Sequence, residues 1–507
     1  MIQAKLFETV PVHRFSLLSK EEQIQLFDLQ QKTIEKFIVE IKRLRSQNSE
    51  LEDKAFYIDE QFIAIKNKLF GRSSEKDPSS ERKKKPRTKG KKKVQLPSLR
   101  YPDAPLIERD VTLEVLPPCS CCGKEMNDSG MTNNSEYLTT IPAQYIVILQ
   151  KRHIYECNDC ETMKVAPNPP RIKPGGSYSD EMIVDVATSK YCDLIPIERY
   201  SAIAGREGLK NIPPHSLIEQ THYLADFVEG GYDKLKTELS EEEVLHADET
   251  PHKMLEGSRK KDWYLWGFSG QKACYFEIQN TRSGSVASNF LKNSKCEYLM
   301  SDVFSGYAKA IRDINIDRKK LKKALIQNIY CNAHARRKFK ESKDKFPDDS
   351  KFFMDLYKKI YRLERIAKER PPDRVLRVRR LMAPLFEKMK NHAYNNYAAY
   401  SSKSSIAKAM SYFLKNYKEL TMFLDNKDLP IDNNHQEALL RNPVIGRKTW
   451  YGTHSKRGAK TAAILFSLVE SCKLNKVNPR EYFKKLVNSL HFGKNPFSPK
   501  EFNNLEK

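Results

Sequence analysis

Two aspartates stand where the alternation of apolar and polar residues predicts strand ends. Asp248 closes the apolar run Val244–Asp248, and Asp302 closes the run Glu297–Asp302. Carboxylates presented in this way by neighbouring strands converge at one edge of a sheet. Because buried like charges repel strongly, the pattern predicts Mg²⁺ or Mn²⁺ held there by oxygen ligands. Two such ions ~4 Å apart would activate a water or a 3′-hydroxyl and stabilise the leaving oxygen of an in-line phosphoryl displacement.

A third carboxylate is normally needed for this chemistry, and Glu437 is the best candidate. It follows the polar stretch Asp432–Gln436 and opens a predicted amphipathic helix. For the two aspartates another interpretation stays open, because Asp is common after a strand, where it caps the next turn. Their joint placement in a strongly basic chain favours the metal site.

The elements that must position these acids are those of an α/β core. Between the two aspartates the sequence predicts strands at Trp263–Phe268 and Ala273–Ile278 and a helix at Gly284–Leu291. The 54 residues from Asp248 to Asp302 suffice for this set and a return strand. The 135 residues from Asp302 to Glu437 exceed one strand and one helix, so residues 338–428, apolar at helical intervals, are predicted to be an inserted helical subdomain.

Four cysteines have the spacing of a structural zinc site. They form two Cys-x-x-Cys pairs, Cys119 with Cys122 and Cys157 with Cys160, separated by an alternating, strand-like segment. Two such knuckles make the four-thiolate cage of a zinc ribbon, predicted for residues 101–166. Cys121 is the spare sulfur, since adjacent cysteines cannot easily both point inward. A redox pair is the alternative, but it would need one knuckle and leave the other unexplained.

The flanking segments are predicted to be structural. In residues 1–70, apolar residues recur at heptad spacing from Phe27 to Leu69, and Asn48 is the single polar residue of the seam. This pattern predicts a coiled coil with a second copy, or alternatively one helix packed on the chain's own body. From Arg72 to Arg100 there are 12 Lys and Arg against 3 acids, so residues 71–100 are predicted to be a disordered basic linker. Whether the linker is only a solvated tether or a phosphate-binding arm stays open.

The charge of the whole chain predicts a polyanionic partner. Its 507 residues include 89 Lys and Arg against 65 Asp and Glu, a net charge of +24. Nucleic acid and an anionic membrane surface are the ordinary candidates. The longest apolar runs, 141–149 and 462–469, are too short to span a bilayer, which excludes a membrane-spanning protein. The first 20 residues lack the pattern of a signal peptide, so secretion is not expected and the cysteines are expected to be reduced.

Cations and aromatic residues are interleaved near Glu437. Between residues 434 and 476 there are 8 Lys and Arg against 2 acids, a pattern typical of phosphate clamping with base stacking. The predicted DNA-contacting residues of this segment are Arg441, Arg447, Lys448 and Trp450. His334 is expected to orient the active-site strand or to contact DNA beside Arg336 and Arg337, with a purely structural histidine as the alternative. Cys331-x-x-His334 has the spacing of half a metal site, but the sequence shows no second half with the right spacing, which disfavours a metal site here.

The order of these motifs resembles the DDE transposases of the insertion-sequence-66 family over nearly the whole chain. The residues that carry the resemblance are Leu69–Lys76, the two-knuckle zinc segment, His246–Thr250, Ser301–Tyr307, Cys331–Phe339, Ile431–Asn434 and Gly446–Trp450. The resemblance implies a ribonuclease-H-like mixed sheet with Asp248, Asp302 and Glu437 as the acidic triad. It also implies a metal-dependent transposase of a bacterial mobile element, which nicks double-stranded DNA at the element's ends and transfers strands to a target.

The expected organisation follows from the motifs and the resemblance together. Residues 1–70 oligomerise, 71–100 link, 101–166 bind zinc, 167–240 form a helical DNA-binding or linking unit, 241–460 hold the catalytic core, and 461–507 form a helical tail. The expected protein is a homodimer at the bacterial nucleoid, and the part played by companion transposition proteins stays open. The alternative function is a catalytically inactive DNA-binding protein, either a decayed transposase or a zinc-ribbon regulator. Ala438 and Asn442, where the family commonly has Arg and Pro, keep this alternative open.

Overall fold

The computed structural model describes residues 96–505 apart from 103, 110, 112–117, 127–133, 141–143, 157, 161 and 257–262, together with 19–21, 24, 31–32, 34–45 and 47. The described residues belong to two compact units, one ending at residue 138 and the other beginning at residue 139.

In the first unit, part of the predicted heptad segment is helical. Residues 34–45 form a helix on which Ile34, Ile41 and Leu44 are 49–57% exposed. Asn48 and the rest of the seam lie outside the described residues, as do residues 71–95 of the predicted linker. The last residues of that linker form a single helical turn, α1 (Pro97–Arg100), and Ser98 donates from its backbone N–H (2.8 Å) and its hydroxyl (2.9 Å) to the carboxylate of Glu136.

The second unit begins with a hairpin and four helices. The hairpin strands β1 (Ile154–Glu156) and β2 (Met163–Val165) pair antiparallel. The helices that follow are α2 (Asp180–Tyr191), α3 (Ile197–Arg206), α4 (Pro214–Phe227) and α5 (Glu229–Ser240). Ser179 caps α2 by accepting a hydrogen bond from the Met182 N–H, and Pro214 opens α4, where its missing N–H costs no helical hydrogen bond.

A five-stranded mixed sheet forms the centre of this unit. Its elements in chain order are β3 (Val244–His252), β4 (Trp263–Ser269), β5 (Cys274–Gln279), α6 (Ser285–Leu291), β6 (Tyr298–Ser301), α7 (Ser305–Lys320) and β7 (Gln327–Tyr330). The strand order is β5-β4-β3-β6-β7. Strands β3, β4 and β5 pair antiparallel, whereas β6 and β7 run parallel to β3. The predicted mixed α/β class is confirmed.

Six helices follow β7 before the chain returns to the sheet. They are α8 (Asn332–Glu341), α9 (Pro347–Lys368), α10 (Pro372–Arg380), α11 (Ala383–Asn396), α12 (Ser405–Lys415) and α13 (Tyr417–Thr421). A buried ion pair joins α9 to α10, with Arg379 Nη2 2.7 Å from Glu364 Oε1. The same guanidinium donates to the Phe423 carbonyl at 2.7 Å, so the buried charge is both paired and hydrogen-bonded.

The last helices cover one edge of the sheet. They are α14 (Asn434–Trp450), α15 (Lys456–Leu474), α16 (Pro479–His491) and α17 (Pro499–Leu505). Ser467 and Ser471 of α15 accept hydrogen bonds from the N–H groups of Phe276 (2.7 Å) and Cys274 (2.9 Å) on the edge strand β5. These hydroxyls satisfy backbone donors that an open sheet edge would leave unpaired.

Gly284 is required where the N-termini of α6 and α7 meet. A Cβ at Gly284 would stand 2.1 Å from the backbone oxygen of Gly306, which cannot move away as a side chain could. We expect Gly284→Ala to lower the free energy of unfolding by about 3 kcal/mol, at the upper end of the usual overpacking cost. The free energy of unfolding of the variant is measured by urea denaturation. The matched control is Gly205→Ala within α3, where nothing lies within 4 Å and a gain of about 0.5–1 kcal/mol is expected. Equal effects of the two variants would contradict the steric argument.

Candidate active site

Asp248 lies in the middle of β3, and not at the strand's end as its sequence suggests. The antiparallel pairing with β4 runs on to His252, opposite Trp263, and supplies the polar residues after Asp248 with backbone partners. The parallel pairing with β6, by contrast, stops at His246 and Met300. Asp248 therefore lies just beyond the end of β6, near Asp302. The prediction that the two aspartates lie at the same edge of the sheet does not require Asp248 to end its strand.

Asp302 follows β6 directly and is held by its own turn. Its Oδ1 accepts a hydrogen bond from the Phe304 N–H at 3.1 Å, and its carbonyl accepts one from the Ser301 hydroxyl at 2.9 Å. The helix α7 then begins at Ser305, so only a tight turn separates Asp302 from this helix. A short turn between a buried strand and a helix leaves the carboxylate little freedom.

The electrostatics show that the three predicted acids are close enough to interact. Loss of hydration, together with nearby negative charge, raises the pKa of Asp248 to about 8. The neighbours that contribute this charge are Glu249, Asp302 and Glu437. A carboxyl group so placed binds a proton at neutral pH unless a cation takes the proton's place. Oxygen ligands in this arrangement suit a hard divalent ion such as Mg²⁺ or Mn²⁺.

Glu437 lies in the first turn of α14, with its side chain 26% exposed, and faces α8. Its Oε1 is 3.8 Å from His334 Nδ1, and its Oε2 is 3.8 Å from Arg337 Nη2. His334 and Arg337, singled out in the sequence, are thus neighbours of the third acid.

Asn433 positions α14 on the sheet, a role that the sequence did not reveal. Its Oδ1 accepts a hydrogen bond from His246 Nδ1 at 2.8 Å, and its Nδ2 donates to the Ala247 carbonyl at 2.9 Å. Burial lowers the pKa of His246 to about 4, so the imidazole is neutral. On α8, Asn332 Nδ2 donates to the Leu420 carbonyl at 2.8 Å and the Ile431 carbonyl at 3.1 Å. The two asparagines thereby fix the stretch of chain that leads into Glu437.

Glu249 is a second functional candidate that sequence reasoning missed. It is the residue after Asp248, its side chain is only 2% exposed, and it accepts hydrogen bonds from the Tyr307 hydroxyl at 2.7 Å and from Arg282 at 2.8 Å. Burial raises the pKa of Glu249, while these two donors act in the opposite direction. The Arg282 guanidinium also lies 4.4 Å from the ring centroid of Phe304. Glu249 is therefore tied to the turn that carries Asp302.

The predicted DNA-contacting cations fall into exposed and partly buried groups. Arg337, Arg441 and Lys448 are exposed, whereas Arg336 is half-buried. Arg447 reaches back to the sheet, with Nη1 3.5 Å from the Thr250 hydroxyl of β3. Further along, Arg457 pairs with Glu219 and Asp226 at 2.9 and 3.1 Å, so acids of α4 offset part of the positive charge of α15.

Trp450 packs against helices rather than standing apart from them. Its ring is stacked on Phe466 with centroids 6.5 Å apart, and Tyr191 meets it edge-on at 6.4 Å. The ammonium of Lys190 lies 4.0 Å from the indole centroid, and burial lowers the pKa of that lysine to about 8. The next residue, Tyr451, is 71% exposed.

The described residues of the predicted zinc knuckles lie in turns. Pro118 and Glu125 form an antiparallel bridge around the first turn, in which Gly123 has a φ of +66°. Hydrogen bonds from the backbone of Cys121 and Cys122 lower the pKa of the Cys119 thiol, as a thiolate ligand requires. Cys160 stands in the turn between β1 and β2, while Cys157 lies outside the described residues.

Together these features define the class of the protein, an α/β protein whose mixed sheet gathers acidic side chains beside β3 and β6. Residues 175–461 match the model of the transposase IS66 family, and residues 118–161 match that of the zinc-finger binding domain of transposase IS66. The first match covers more than half of the chain, and the protein belongs to the IS66 family of transposases. The resemblance noted from the motifs is confirmed.

Relatives of similar length occur in Sinorhizobium fredii. The protein y4hP is 25% identical in an alignment of 405 positions that covers 75% of this chain and 72% of the relative. The protein y4qI is 26% identical in an alignment of 432 positions that covers 80% of this chain and 77% of the relative. Both carry the name "uncharacterized protein", so the function follows from the family alone.

Membership of the family implies a transposase, an enzyme that binds, cleaves and transfers the DNA of a mobile element. It also implies a divalent metal, and the second match indicates zinc. Among the helices of the described residues, none is long and apolar enough to cross a membrane.

Proposed function

We propose that this chain is a DDE-type transposase that cleaves DNA strands at the ends of a bacterial insertion sequence and joins them to a target. Asp248, Asp302 and Glu437 bind Mg²⁺ or Mn²⁺ in this proposal. The observation that carries it is the raised pKa of Asp248, to which the other two acids contribute from separate elements. When bound, the ions would activate the attacking oxygen and stabilise the leaving one.

The sheet supports a ribonuclease-H-like core. The first three strands of the core form an antiparallel meander, and the next two add in parallel on the other side of β3. We assign the core to residues 241–460 and its helical insertion to residues 338–428. The insertion lies between the strand that follows Asp302 and the helix that carries Glu437, which accounts for the long interval between these acids. The helices of residues 167–240 and 461–507 then flank the core.

Double-stranded DNA is the proposed substrate, and cations near Glu437 are its proposed contacts. Arg337, Arg441 and Lys448 are exposed and suited to phosphate, whereas Arg336 and Arg447 are partly buried and His334 lies beside Glu437. Trp450 is also a proposed DNA contact, because it is the last residue of α14 and the residue that follows it, Tyr451, is exposed. Such contacts would position the scissile phosphate without reading bases, and the activity would fall with rising salt.

Two further assignments concern assembly. The half-exposed apolar residues of the N-terminal helix support dimerisation through that segment, and this arrangement is part of the proposal. Companion transposition proteins could complete the assembly at the DNA ends. A DNA-bound enzyme of this kind would act at the nucleoid of a bacterial cell.

The zinc assignment predicts different roles for adjacent cysteines. We expect Cys119→Ser to remove one equivalent of bound zinc per chain, because a structural zinc site needs all four thiolates. Cys121→Ser, two residues further along the same turn, is the matched control and should keep its zinc. The measurement is the zinc content of the purified wild type and variants by mass spectrometry. Equal zinc in wild type and Cys119→Ser would contradict the ligand set.

The function itself is tested with a supercoiled plasmid that carries the two ends of the element. Incubation with Mg²⁺ should give nicks at the ends and then strand-transfer products, and neither should form with Ca²⁺. Specific binding of the ends with no cleavage in Mg²⁺ or Mn²⁺ would favour the alternative, an inactive DNA-binding relative. Asn442, which donates a hydrogen bond to Glu470 at 2.8 Å in place of the family's Pro, is the observation that favours that alternative.

A further inference from the structure

A second group of possible metal ligands lies beside the acidic cluster. Cys331 precedes α8, His334 lies in its first turn, and Glu437 lies in the first turn of α14. One ligand atom of each, the thiol sulfur, an imidazole nitrogen and a carboxylate oxygen, lies within 4.8 Å of the other two. The Cys-x-x-His half-site of the sequence thus acquires its third ligand from a different helix.

Two atoms of this group are buried without a hydrogen-bond partner among the described residues. They are His334 Nδ1 and Glu437 Oε1, which face each other at 3.8 Å. Buried polar atoms nearly always have partners, so this pair calls for an explanation. Two ligand atoms that each lie ~2.1 Å from a tetrahedral zinc ion are about 3.4 Å apart. A small movement of either side chain would therefore let one ion bind both His334 Nδ1 and Glu437 Oε1.

The donor set selects the kind of ion. Sulfur and imidazole nitrogen with one carboxylate favour zinc-class ions, whereas Mg²⁺ prefers oxygen ligands alone. The Asn433 N–H donates to the Cys331 sulfur at 3.2 Å and opposes the burial that raises the pKa of this thiol, so a bound metal ion would have to displace the thiol proton. Arg337 faces the other oxygen of Glu437, Oε2, at 3.8 Å and leaves Oε1 directed at the histidine.

We propose that Cys331, His334 and Glu437 bind one divalent ion of the zinc class, distinct from the zinc of the finger. The ion would hold Glu437 on α8 and withdraw it from the magnesium site that it shares with Asp248 and Asp302. Zinc-class ions therefore inhibit the Mg²⁺-dependent reaction, a consequence that rests on the proposed function. The binding site itself does not depend on that function.

Cobalt provides the first test, because a thiolate bound to Co²⁺ absorbs in the near ultraviolet. Co²⁺ is titrated into the full-length protein with its finger already loaded with zinc. We expect one further equivalent with a thiolate-to-cobalt band in wild type, and no band in Cys331→Ser. Cys296→Ser, which changes another buried cysteine of the same unit, is the matched control and should keep the band. Absence of the band in folded wild type, or its persistence in Cys331→Ser, would overturn the proposal.

A second variant guards against a folding defect in Cys331→Ser. The His334 side chain is 25% exposed, so His334→Gln should fold, and we expect it to bind Co²⁺ at least about 10-fold more weakly. Unchanged affinity would overturn the assignment of His334.

The inhibitory role has its own readout. Micromolar Zn²⁺ added to the Mg²⁺-dependent assay should inhibit DNA cleavage by the wild type and leave cleavage by Cys331→Ser uninhibited. Equal inhibition of both would refute the inhibitory role. If wild type cleaves no DNA, the proposed function fails, while the cobalt titration still decides whether the site exists.

Discussion

Asp302→Asn is expected to lower the rate of metal-dependent strand cleavage by at least about 10³-fold, which corresponds to about 4 kcal/mol of lost transition-state stabilisation. The amide keeps the size of the side chain and its acceptor oxygen, so the hydrogen bond from the Phe304 N–H to Oδ1 is retained. It removes the negative charge that would hold the metal ion. The measurement is single-turnover nicking of DNA ends in Mg²⁺.

The matched control for this variant is Asp313→Asn on the following helix. Asp313 is exposed on α7 and lies outside the acidic cluster, so its variant should cleave at the wild-type rate. DNA binding in Ca²⁺ should be similar for all three proteins, since the cations that contact phosphate are unchanged. Undiminished Mg²⁺-dependent cleavage by Asp302→Asn would remove this residue from the catalytic site.

Asp248→Asn is expected to abolish cleavage and at the same time to stabilise the protein without Mg²⁺. The pKa of Asp248 is about 8 in the folded protein, above its ordinary value of 3.8. Between these values the folded state keeps a proton that the unfolded state has lost, so wild-type stability falls as pH rises from about 4 to about 8. Asparagine cannot ionise and avoids this loss.

The stabilisation by Asp248→Asn should therefore be small at pH 5 and reach about 2 kcal/mol near pH 8, less than the full shift implies because the site is partly solvated. Urea unfolding at the two pH values, in buffer without Mg²⁺ or chelator so that zinc is retained, measures it. The Asp313→Asn control should show no such trend. A difference from wild type that does not grow with pH would mean that Asp248 is already ionised in the metal-free protein. Added Mn²⁺ should narrow the difference, since it binds the wild type preferentially.

The two variants test different properties of the same proposed site: Asp302→Asn tests catalysis, and Asp248→Asn also tests the stability of the folded protein. Carboxylates that repel one another cost folding energy, and a cation recovers that energy when it binds. If Asp248 holds the proposed metal ion, metal binding at neutral pH should also release a proton from its carboxyl group, whose pKa is about 8 in the folded protein.

Much of the architecture follows from local pattern. The short apolar runs of the central strands predict a mixed α/β core because buried strands cannot carry polar side chains on both faces. The excess of Lys and Arg near Glu437 is also a property of composition. The cysteine spacing identifies the zinc segment because a tetrahedral site limits the length of each knuckle.

Other features depend on partners distant in the chain. The sequence places Asp248 at a strand end, because nothing local shows that β4 pairs with the residues that follow it as far as His252. Nothing local in the sequence shows that the ring of Trp450 packs against Tyr191 and Phe466. Asn433 is one of several polar residues in its segment, and only the positions of His246 and Ala247 give it a role.

The sequence by itself determined the family and the α/β class and singled out three candidate acids, because residue type and order carry that information. The tertiary structure alone decided which groups meet: Glu249 with Arg282 and Tyr307, and Glu437 with His334 and Cys331. The physical reason is that hydrophobic periodicity specifies each element and its buried face. The contacts between polar groups depend on where the mixed sheet and the helices place elements that are distant from one another in the chain.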